Sequence, residues 1–330
     1  MPMNSSECLL RREAFDLLFP RLTGERCARG PMIAADHLAI LLNQPLGEVC
    51  RSGQWLAEGL LKAQELYRSD FIIVFSDVAV EAEAIGVKLE YSPDRNPQTV
   101  QHLQPHQLKP IDIVSSGRVP DLFWAARICR EKLGGDFPIF FSLKDPFSLA
   151  ALTIGTEAFL EKLIMDRSLA ADMIEVCCRT QLSLVEAIIS EGFIPLVGAP
   201  IASGGLIGQT NFRRFAAPYQ CRLFDRAEQL GSFRCLHICG EIGMLAGEMA
   251  SLKLHLLSFE DWHASMWEKM PQTVPMGFVS TDLFVHGDKE TVANSTAQCK
   301  KVLPEPFVLS SGCDLPARAR PELVQTMMKS

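Results

Sequence analysis

The chain has 330 residues, of which 48% are apolar and 22% are charged, and its net charge at neutral pH is −7. This length and composition fit a single α/β barrel with a large core. Because no Lys/Arg-rich run occurs, we expect no nucleic-acid partner. The chain shows neither a leader-like start nor a run of about 18 apolar residues, so we expect no signal peptide and no membrane span. The eleven cysteines lack a disulfide-like spacing, which indicates a reducing, cytoplasmic location.

The first quarter of the chain predicts two strands between helical segments. Apolar residues recur at helical spacing from Cys8 to Phe19 and again over Leu46–Tyr67. A short strand is predicted between them at Pro31–Ala35. Phe71–Ser76 has the continuous apolar character of a buried parallel strand, and Asp77 follows at its end.

After a loop predicted over residues 92–118, strands alternate with helices. Strands are predicted at Pro138–Ser142, Ile194–Gly198, 233–238, 254–259, 275–280 and 306–311. Val80–Ile85 is predicted to be a short helical or turn segment. Helices are predicted at Leu122–Leu133, 147–165, 167–191, 211–230, 241–250, 263–269, 288–302 and 320–328. Eight strands, each followed by helix, predict a (β/α)8 TIM barrel as one domain over residues 1–330, with residues 1–30 as an N-terminal helical extension. The alternative is an open, doubly wound sheet.

Two strand ends carry residues that could bind a metal ion. The first is Phe233-Arg-Cys-Leu-His-Ile-Cys-Gly240, and the second is Leu309-Ser-Ser-Gly-Cys-Asp-Leu-Pro316. Residues two apart on a strand face the same side, so His237 and Cys239 can hold one ion, and Cys313 can reach it from another strand. One imidazole and two thiolates suit zinc with an open fourth position. The alternative is that the cysteines are small buried apolar residues and that the histidine is simply hydrogen-bonded.

Further polar residues end neighbouring strands, at the rim where barrel enzymes place their active sites. Glu260 ends the sixth strand and Ser280 ends the seventh. Asp77, at the end of the second strand, is predicted to orient substrate, although it would equally suit the cap of the following helix. Ser203 lies in the small-residue loop Ala199–Gly205, where backbone can approach a ligand closely. We therefore predict substrate contacts for Asp77, Ser203 and Ser280.

The chain resembles the uroporphyrinogen decarboxylase superfamily, and within it the zinc-dependent methylcobamide:thiol methyltransferases of the coenzyme M type. The resemblance covers about residues 65–328. The segments that carry it are His237-Ile-Cys-Gly240, Leu256-Leu-Ser-Phe-Glu-Asp261, Met276–Thr281, Leu309–Pro316, Asp77–Gly86 and Asp145–Gly155.

This resemblance implies a (β/α)8 barrel with one zinc ion per chain, bound by His237, Cys239 and Cys313. Glu260 would fill the fourth position until substrate displaces it, and would act in catalysis with Asp77. The methyl group would move between a small thiol, or another small acceptor or donor, and a methylcobamide carried by a separate corrinoid-binding protein. A homodimer is left open.

Two departures from the family pattern concern the barrel mouth. Ser280 and Thr281 stand where the family usually has an acid and a proline, and Ala199 stands where it has an aspartate. Two alternatives therefore remain. One is decarboxylation of tetrapyrrole acetate groups, although the Arg-containing N-terminal motif of true decarboxylases is missing. The other is a binding protein that has lost catalysis.

Overall fold

The computed structural model describes residues 10–330, so Cys8 and Leu9 of the predicted first helix lie outside the described residues. Eight parallel strands in this part of the chain form the main sheet. They are β1 (Cys27–Arg29), β2 (Ile72–Val74), β5 (Ile139–Lys144), β6 (Ile194–Ala199), β7 (Cys235–Ile238), β8 (Leu256–Phe259), β9 (Val274–Val279) and β10 (Phe307–Ser311). Two further strands, β3 (Lys88–Glu90) and β4 (Gln98–Gln101), form a separate antiparallel pair.

The strand order is β1-β10-β9-β8-β7-β6-β5-β2. It follows the chain from β5 to β10 without the reversal of a doubly wound sheet, so that alternative is wrong. The sheet curls until its two edges approach: Asp70 N donates to Arg29 O at 2.8 Å, and Arg29 N donates to the Asp70 carboxylate at 2.7 Å. No ladder joins β1 to β2 within residues 10–330. The architecture is therefore a curled parallel sheet, a half-barrel, and the predicted closed barrel is confirmed only in part.

Seven strands lie where the apolar runs predict them, but the prediction of the first at Pro31–Ala35 is wrong. The first strand is Cys27–Arg29, inside the segment predicted to be helical. Pro31 has no backbone N–H for a ladder. Met32 makes only an isolated bridge, to Asp314. Cys27–Arg29 alternates partly buried and buried residues without an apolar run, so it gave no strand signal.

Helices connect the strands and flank the sheet. They are α1 (Arg11–Leu18), α2 (Ala35–Leu42), α3 (Leu46–Cys50), α4 (Gly53–Tyr67), α5 (Val80–Ile85), α6 (Val119–Leu133), α7 (Pro146–Ile154), α8 (Thr156–Met165), α9 (Arg167–Ser190), α10 (Gly204–Asn211), α11 (Ala217–Gln229), α12 (Ala246–Ser251), α13 (Ala264–Glu268), α14 (Leu283–His286), α15 (Lys289–Val302) and α16 (Pro321–Lys329). One-turn 3-10 segments occur at Pro20–Leu22, Pro105–Gln107, Ile113–Ser115 and Gly243–Leu245, and a π-helical turn occurs at Phe212–Ala216.

Local sequence fixes where several of these helices begin. Asp145 accepts a hydrogen bond from Ser148 N at 2.9 Å, and Pro146 occupies the first helical position of α7. Asp166 accepts one from Leu169 N at 3.1 Å at the start of α9. Such caps satisfy backbone donors that have no partner inside the helix. No helix among the described residues has the length and apolar character needed to cross a membrane.

An inner cluster of buried side chains fills the space that the sheet encloses. All eight strands contribute to it, through Ala28, Ile73, Phe140, Leu196, Cys235, Leu256, Val274, Met276 and Val308. Helix α1 closes the amino-terminal end of this space, where the Phe19 ring centroid lies 6.0 Å from that of Phe71 and 6.2 Å from that of Phe140. Two residues further along their strands, the inward side chains become polar, at Ser142, His237, Ser258 and Ser310. The polar chemistry therefore gathers at the carboxyl ends of the strands.

Candidate metal centre

Three side chains converge at this end of the sheet, as the sequence predicts. His237 is the third residue of β7, Cys239 follows that strand directly, and Cys313 lies on the loop after β10. The two sulfur atoms lie 3.9 Å apart, and His237 Nε2 lies 3.3 Å from Cys239 Sγ and 3.7 Å from Cys313 Sγ. Of the described residues, only these three form a group of potential metal ligands within 4.8 Å of one another.

A buried hydrogen bond fixes the orientation of the His237 ring. His237 Nδ1 lies 3.0 Å from Ser258 Oγ on the neighbouring strand β8, where the two residues are paired in register. The Ser258 hydroxyl is fully buried and lies 3.3 Å from Met32 Sδ. With Nδ1 occupied in this way, Nε2 is the nitrogen that faces the two sulfur atoms. This is the arrangement in which a histidine binds a metal while its other nitrogen holds the ring in place.

The spacing of the three ligand atoms fits tetrahedral zinc. Zinc–sulfur bonds of about 2.3 Å and zinc–nitrogen bonds of about 2.0 Å at tetrahedral angles place two sulfurs about 3.8 Å apart, and sulfur and nitrogen about 3.5 Å apart. The observed sulfur–sulfur distance is 3.9 Å, and the two sulfur–nitrogen distances are 3.3 and 3.7 Å. The donor set, one imidazole and two thiols, is also the one that zinc prefers. His237, Cys239 and Cys313 therefore fit the ion.

The thiols of Cys239 and Cys313 have pKa values that are shifted in opposite directions. The contact with the Cys313 thiol, followed by the contact with the His237 imidazole, lowers the pKa of Cys239 to about 5 against the opposing effect of burial. The same contact with Cys239 raises the pKa of Cys313, and burial adds to that effect. Burial alone would lower the pKa of His237, but its contact with Cys239 raises it. Without a cation the pair therefore holds one thiolate and one thiol, and a bound cation would release the second proton.

Glu260 lies beside the cluster but outside it. It follows β8, and its Oε2 accepts a hydrogen bond from Gly240 N at 2.5 Å. The loop after β10 approaches closely because residue 312 is glycine: a Cβ there would lie 3.1 Å from Glu260 Cα. The carboxylate is thus held next to the segment that carries His237 and Cys239. Its role as a fourth, displaceable ligand stays a prediction.

Asp77 is fully engaged by the protein. Its carboxylate accepts hydrogen bonds from the Arg118 guanidinium at 2.6 and 3.2 Å, from Ser76 Oγ at 2.9 Å and from Ala79 N at 3.0 Å. Burial alone would raise the pKa of Asp77, but the Arg118 guanidinium outweighs burial and holds that pKa below its usual range. Arg118 also contacts Glu83 at 2.5 Å. Asp77 does not cap α5, whose N-cap is Ala79 and has no side-chain cap hydrogen bond. The catalytic and substrate roles of Asp77 stay predictions.

Ser203 and Ser280 lie in different surroundings. Ser203 is buried at the start of α10, and its Oγ lies 3.5 Å from where a Cβ would stand at Gly240, next to the segment that carries His237 and Cys239. Ser280 is exposed after β9, where its carbonyl accepts a hydrogen bond from Leu283 N at 3.2 Å. Ala199 is fully buried at the end of β6. The substrate contacts of Ser203 and Ser280 stay predictions.

A small pocket of about 50 Å³ opens beside the three ligands. Its lining is largely apolar and includes Met32, Phe75 and Val78. The charged residues of the lining are Lys144 and Asp314, and neither Asp77, Ser203 nor Ser280 belongs to it. The pocket can therefore admit a few atoms of a ligand up to the sulfur atoms in apolar surroundings.

Sequence reasoning missed two residues of this site. Lys144 ends β5 and Ser258 lies within β8, both in apolar runs. The signal for Ser258 was a hydroxyl in an otherwise apolar strand, two residues before Glu260. The signal for Lys144 was a lysine directly before the Asp-Pro that starts α7. Both residues reach the site because β8 pairs with β7 directly and β5 lies next to β7 through β6, and the sequence does not display this register.

The sequence of the chain is similar to one protein family and to named members of two of its branches. The sequence model of the family described as Uroporphyrinogen decarboxylase (URO-D) matches residues 22–330. The chain is 27% identical over 190 residues to the methylcobamide:CoM methyltransferase MtaA of Methanosarcina barkeri, covering 56% of this chain and 55% of that protein. It is 22% identical over 200 residues to the uroporphyrinogen decarboxylase of Trichlorobacter lovleyi, covering 58% and 57% of the two chains. The chain thus spans little more than half the length of these curated relatives.

A solved structure has the same fold. The structure described as a methyltransferase from Methanosarcina mazei superposes with a TM-score of 0.83 at 21% sequence identity, covering 97% of this chain and 98% of that one. This likeness extends over the whole curled sheet and its helices. At this identity it shows the fold alone.

Proposed function

Because the chain belongs to the uroporphyrinogen decarboxylase family, we propose that it is a zinc-dependent methyltransferase of that family. It moves a methyl group between a methylcobamide and a small thiol or other small acceptor or donor. His237, Cys239 and Cys313 hold the zinc ion. The single observation that carries this proposal is the fit of these three side chains to a tetrahedral site with one position left for substrate.

The residues at this site suit the activation of a thiol. Bound zinc stabilises a substrate thiolate at neutral pH, where a free thiol with a pKa of about 8.5 is mostly protonated. Ser258 keeps His237 Nε2 aimed at the sulfur atoms through the bond to Nδ1. The apolar lining, including Met32 and Phe75, limits the access of water to the sulfur. Glu260, held by Gly240 N, is available as a ligand that substrate displaces.

Charge balance supports the same role. Two cysteinates and one neutral imidazole offset the charge of a divalent ion, so a substrate thiolate leaves the centre with one net negative charge. With the ion bound, that charge would favour attack of the thiolate sulfur on the methyl carbon, and the cobamide cobalt would leave with the electron pair of the broken cobalt–carbon bond. In the opposite direction of transfer, the same centre would bind the methyl donor. The residues present suit either direction.

A methylcobamide carried by a corrinoid-binding protein is the proposed partner. The relatives named methylcobamide:CoM methyltransferase support this proposal. The strand ends that carry Cys239 and Cys313 open toward one face, so we propose that the corrinoid protein docks there. We also propose that the sheet works as a (β/α)8-type barrel, supported by the Arg29–Asp70 contacts across its open edges. Free thiols at all ten described cysteines fit the proposed cytoplasmic location.

Tetrapyrrole decarboxylation is the competing activity, because some relatives of the chain are named uroporphyrinogen decarboxylase. A substrate with many carboxylates needs several cations for charge pairing. The pocket lining has a single basic side chain, Lys144. Arg118 is already bound to Asp77 and Glu83. These observations favour methyl transfer.

A paired assay tests the proposal. The zinc-loaded protein is incubated with methylcobalamin and a panel of small thiols, and separately with uroporphyrinogen, and products are identified by mass spectrometry. We expect methylated thiol, its loss in Cys239→Ala, and no decarboxylation. Porphyrinogen turnover without methyl transfer would overturn the proposal. Inactivity in both assays would favour the third alternative, a binding protein that has lost catalysis.

A further inference from the structure

A cavity of about 1020 Å³, the seam cavity, lies between the two edge strands of the sheet, β1 and β2. Cys27 and Arg29 of β1 line one side of it, and Asp70, two residues before β2, lines the other. The last turns of α4 and α16 complete its wall. Cys27 begins β1 and Asp70 precedes β2, so the seam cavity lies at the amino-terminal end of the sheet, opposite to His237 and Cys239. Of the described residues, none lines both this cavity and the small pocket beside the proposed zinc ligands.

The seam cavity is lined by more cations than acids. The cations are Arg21, Arg29, Lys62, Arg68 and Lys329, and the acids are Glu25, Glu65 and Asp70. The lining therefore carries an excess of two positive charges, although the chain as a whole has a net charge of −7. A cleft with an excess of one sign of charge attracts small ligands of the opposite sign.

The five cations of the lining are held in place without being neutralised. Among residues 10–330, no carboxylate oxygen lies within 4.0 Å of any of them. Arg21 Nη2 donates to a backbone carbonyl at 2.9 Å, Arg29 Nη1 to another at 3.1 Å and Lys62 Nζ to a third at 2.6 Å. A carbonyl is a neutral acceptor, so these bonds orient the side chains and leave their charge in the cavity. Each guanidinium also keeps further N–H donors for a ligand.

The backbone at Arg68 indicates a role for its side chain. Arg68 follows α4 in the left-handed conformation, with φ 53° and ψ 47°. Glycine is the usual residue at such a helix end, because a Cβ destabilises the left-handed backbone. The favourable effect of a cation at a carboxyl-terminal helix end is no larger than this cost. The arginine is therefore accounted for by its side chain, which lines the seam cavity.

We propose that the seam cavity binds a small phosphate monoester that also carries hydroxyl groups, of the size of a sugar phosphate or a nucleoside monophosphate. A phosphate monoester carries a charge of about −1.5 to −2 at neutral pH, which matches the positive excess of the lining. Guanidinium groups pair with phosphate oxygens through two parallel hydrogen bonds. Arg68 and Lys329, exposed at the ends of α4 and α16, are the groups we expect at the phosphate.

The acids and the volume of the seam cavity indicate the rest of the ligand. Among the ion pairs of residues 10–330, none includes Glu25 or Glu65, so both carboxylates can accept hydrogen bonds from ligand hydroxyl groups. The volume is at the upper end of the range of small-molecule sites, about 300–1,000 Å³, and exceeds what phosphate alone would fill. This proposal does not depend on the proposed function, because the seam cavity lies away from the proposed zinc ligands.

Calorimetric titration of the full chain at constant ionic strength tests the proposal. The esters are glucose 6-phosphate, ribose 5-phosphate, AMP and CMP, and the reference compounds are glucose, adenosine and inorganic phosphate. We expect at least one ester to bind roughly tenfold or more tightly than each reference compound, since hydrogen bonds to charged groups contribute that much. The sugar phosphates and the nucleotides distinguish the two kinds of ligand. Esters that all bind no more tightly than inorganic phosphate would overturn the proposal.

Alkylation of Cys27 locates the bound ester. Cys27 is half-buried in the wall of the seam cavity, and Cys221 on α11 is half-buried outside it. The bound ester should slow the modification of Cys27 by N-ethylmaleimide in proportion to its occupancy, as measured by peptide mass spectrometry, and the rate at Cys221 should not change. An unchanged rate at Cys27 when the ester is bound would place the ester elsewhere and overturn the proposal.

Arg68→Gly removes the expected phosphate contact without damaging the fold. Glycine suits the left-handed backbone, so the thermal stability should stay near that of wild type. The affinity for the ester should fall roughly tenfold to a hundredfold, as is typical for the loss of a charged hydrogen-bond donor. Lys253→Gly is the matched control, because Lys253 is also exposed and left-handed, with φ 51°, but lies outside the seam cavity. Unchanged affinity in Arg68→Gly, or an equal loss in Lys253→Gly, would overturn the proposal.

Discussion

Replacement of Ser258 by alanine probes the proposed centre without touching a ligand. Ser258 Oγ contacts His237 Nδ1 at 3.0 Å, and the hydroxyl is fully buried, so no water can replace it without rearrangement. In Ser258→Ala the ring loses the contact that orients Nε2 toward the sulfur atoms. Loss of the hydrogen-bond partner of a metal-binding histidine typically lowers metal affinity about 10- to 100-fold. We expect that reduction here, equivalent to about 1.4–2.7 kcal/mol.

The assay is competition for zinc against a chromogenic chelator at fixed pH, with thermal unfolding of the metal-free protein measured in parallel. Leaving Nδ1 buried without a partner should also lower the free energy of unfolding by about 1–3 kcal/mol. Ser310→Ala is the matched control. Ser310 is likewise fully buried, on β10, but its hydroxyl has no hydrogen-bond partner, so its removal should leave zinc affinity unchanged. Equal zinc affinity in Ser258→Ala and wild type would refute the role of Ser258.

Three further predictions concern the ligands and the ion pair near the rim. Wild type should contain about one zinc per chain by elemental analysis, and Cys239→Ala and Cys313→Ala should each lose most of it, with the helical far-UV signal intact because the apolar core is separate. Glu260→Gln should keep zinc yet alter thiol binding; metal loss as complete as in Cys239→Ala would rule out a labile role. Arg118→Met should destabilise the fold by about 3–5 kcal/mol in denaturant titrations, because it leaves Asp77 buried without its partner. Arg118 holds the pKa of folded Asp77 below its usual range. The contribution of Asp77 to the free energy of unfolding should therefore be fully present above the unfolded pKa of about 3.9, and it should be lost as pH falls through the lower pKa of the folded state. The advantage of wild type over Arg118→Met should therefore shrink as pH falls below about 4, and an advantage that grows as pH falls below about 4 would contradict this.

The convergence of His237, Cys239 and Cys313 could be predicted because these residues lie in or just after strands whose type is evident. His237 lies in β7 and Cys239 follows that strand directly, and parallel strands bring Cys313 to the same edge. Lys144 and Ser258 were missed because their proximity to His237 depends on the register between strands. One sequence carries no direct signal of that register.

Within the fold, the errors have local causes. The first strand is only three residues long and has no apolar run, so its neighbour Pro31–Ala35 was the stronger candidate. Helix α2, which begins at Ala35, was not predicted. Full closure of the barrel was expected from the count of strands, whereas the approach of Arg29 to Asp70 is made by two contacts at the strand ends. The number of predicted strands does not show whether β1 and β2 pair through a hydrogen-bond ladder or only approach through the Arg29–Asp70 contacts.

X-ray absorption at the zinc edge, with and without thiol, tests the central claim most directly. The claim is that substrate sulfur binds to zinc held by His237, Cys239 and Cys313. The account predicts two sulfur ligands and one histidine nitrogen in the protein alone, and a third sulfur at about 2.3 Å when thiol is added. Absence of zinc after metal-supplemented expression, or a sulfur count that does not change on adding thiol, would contradict it.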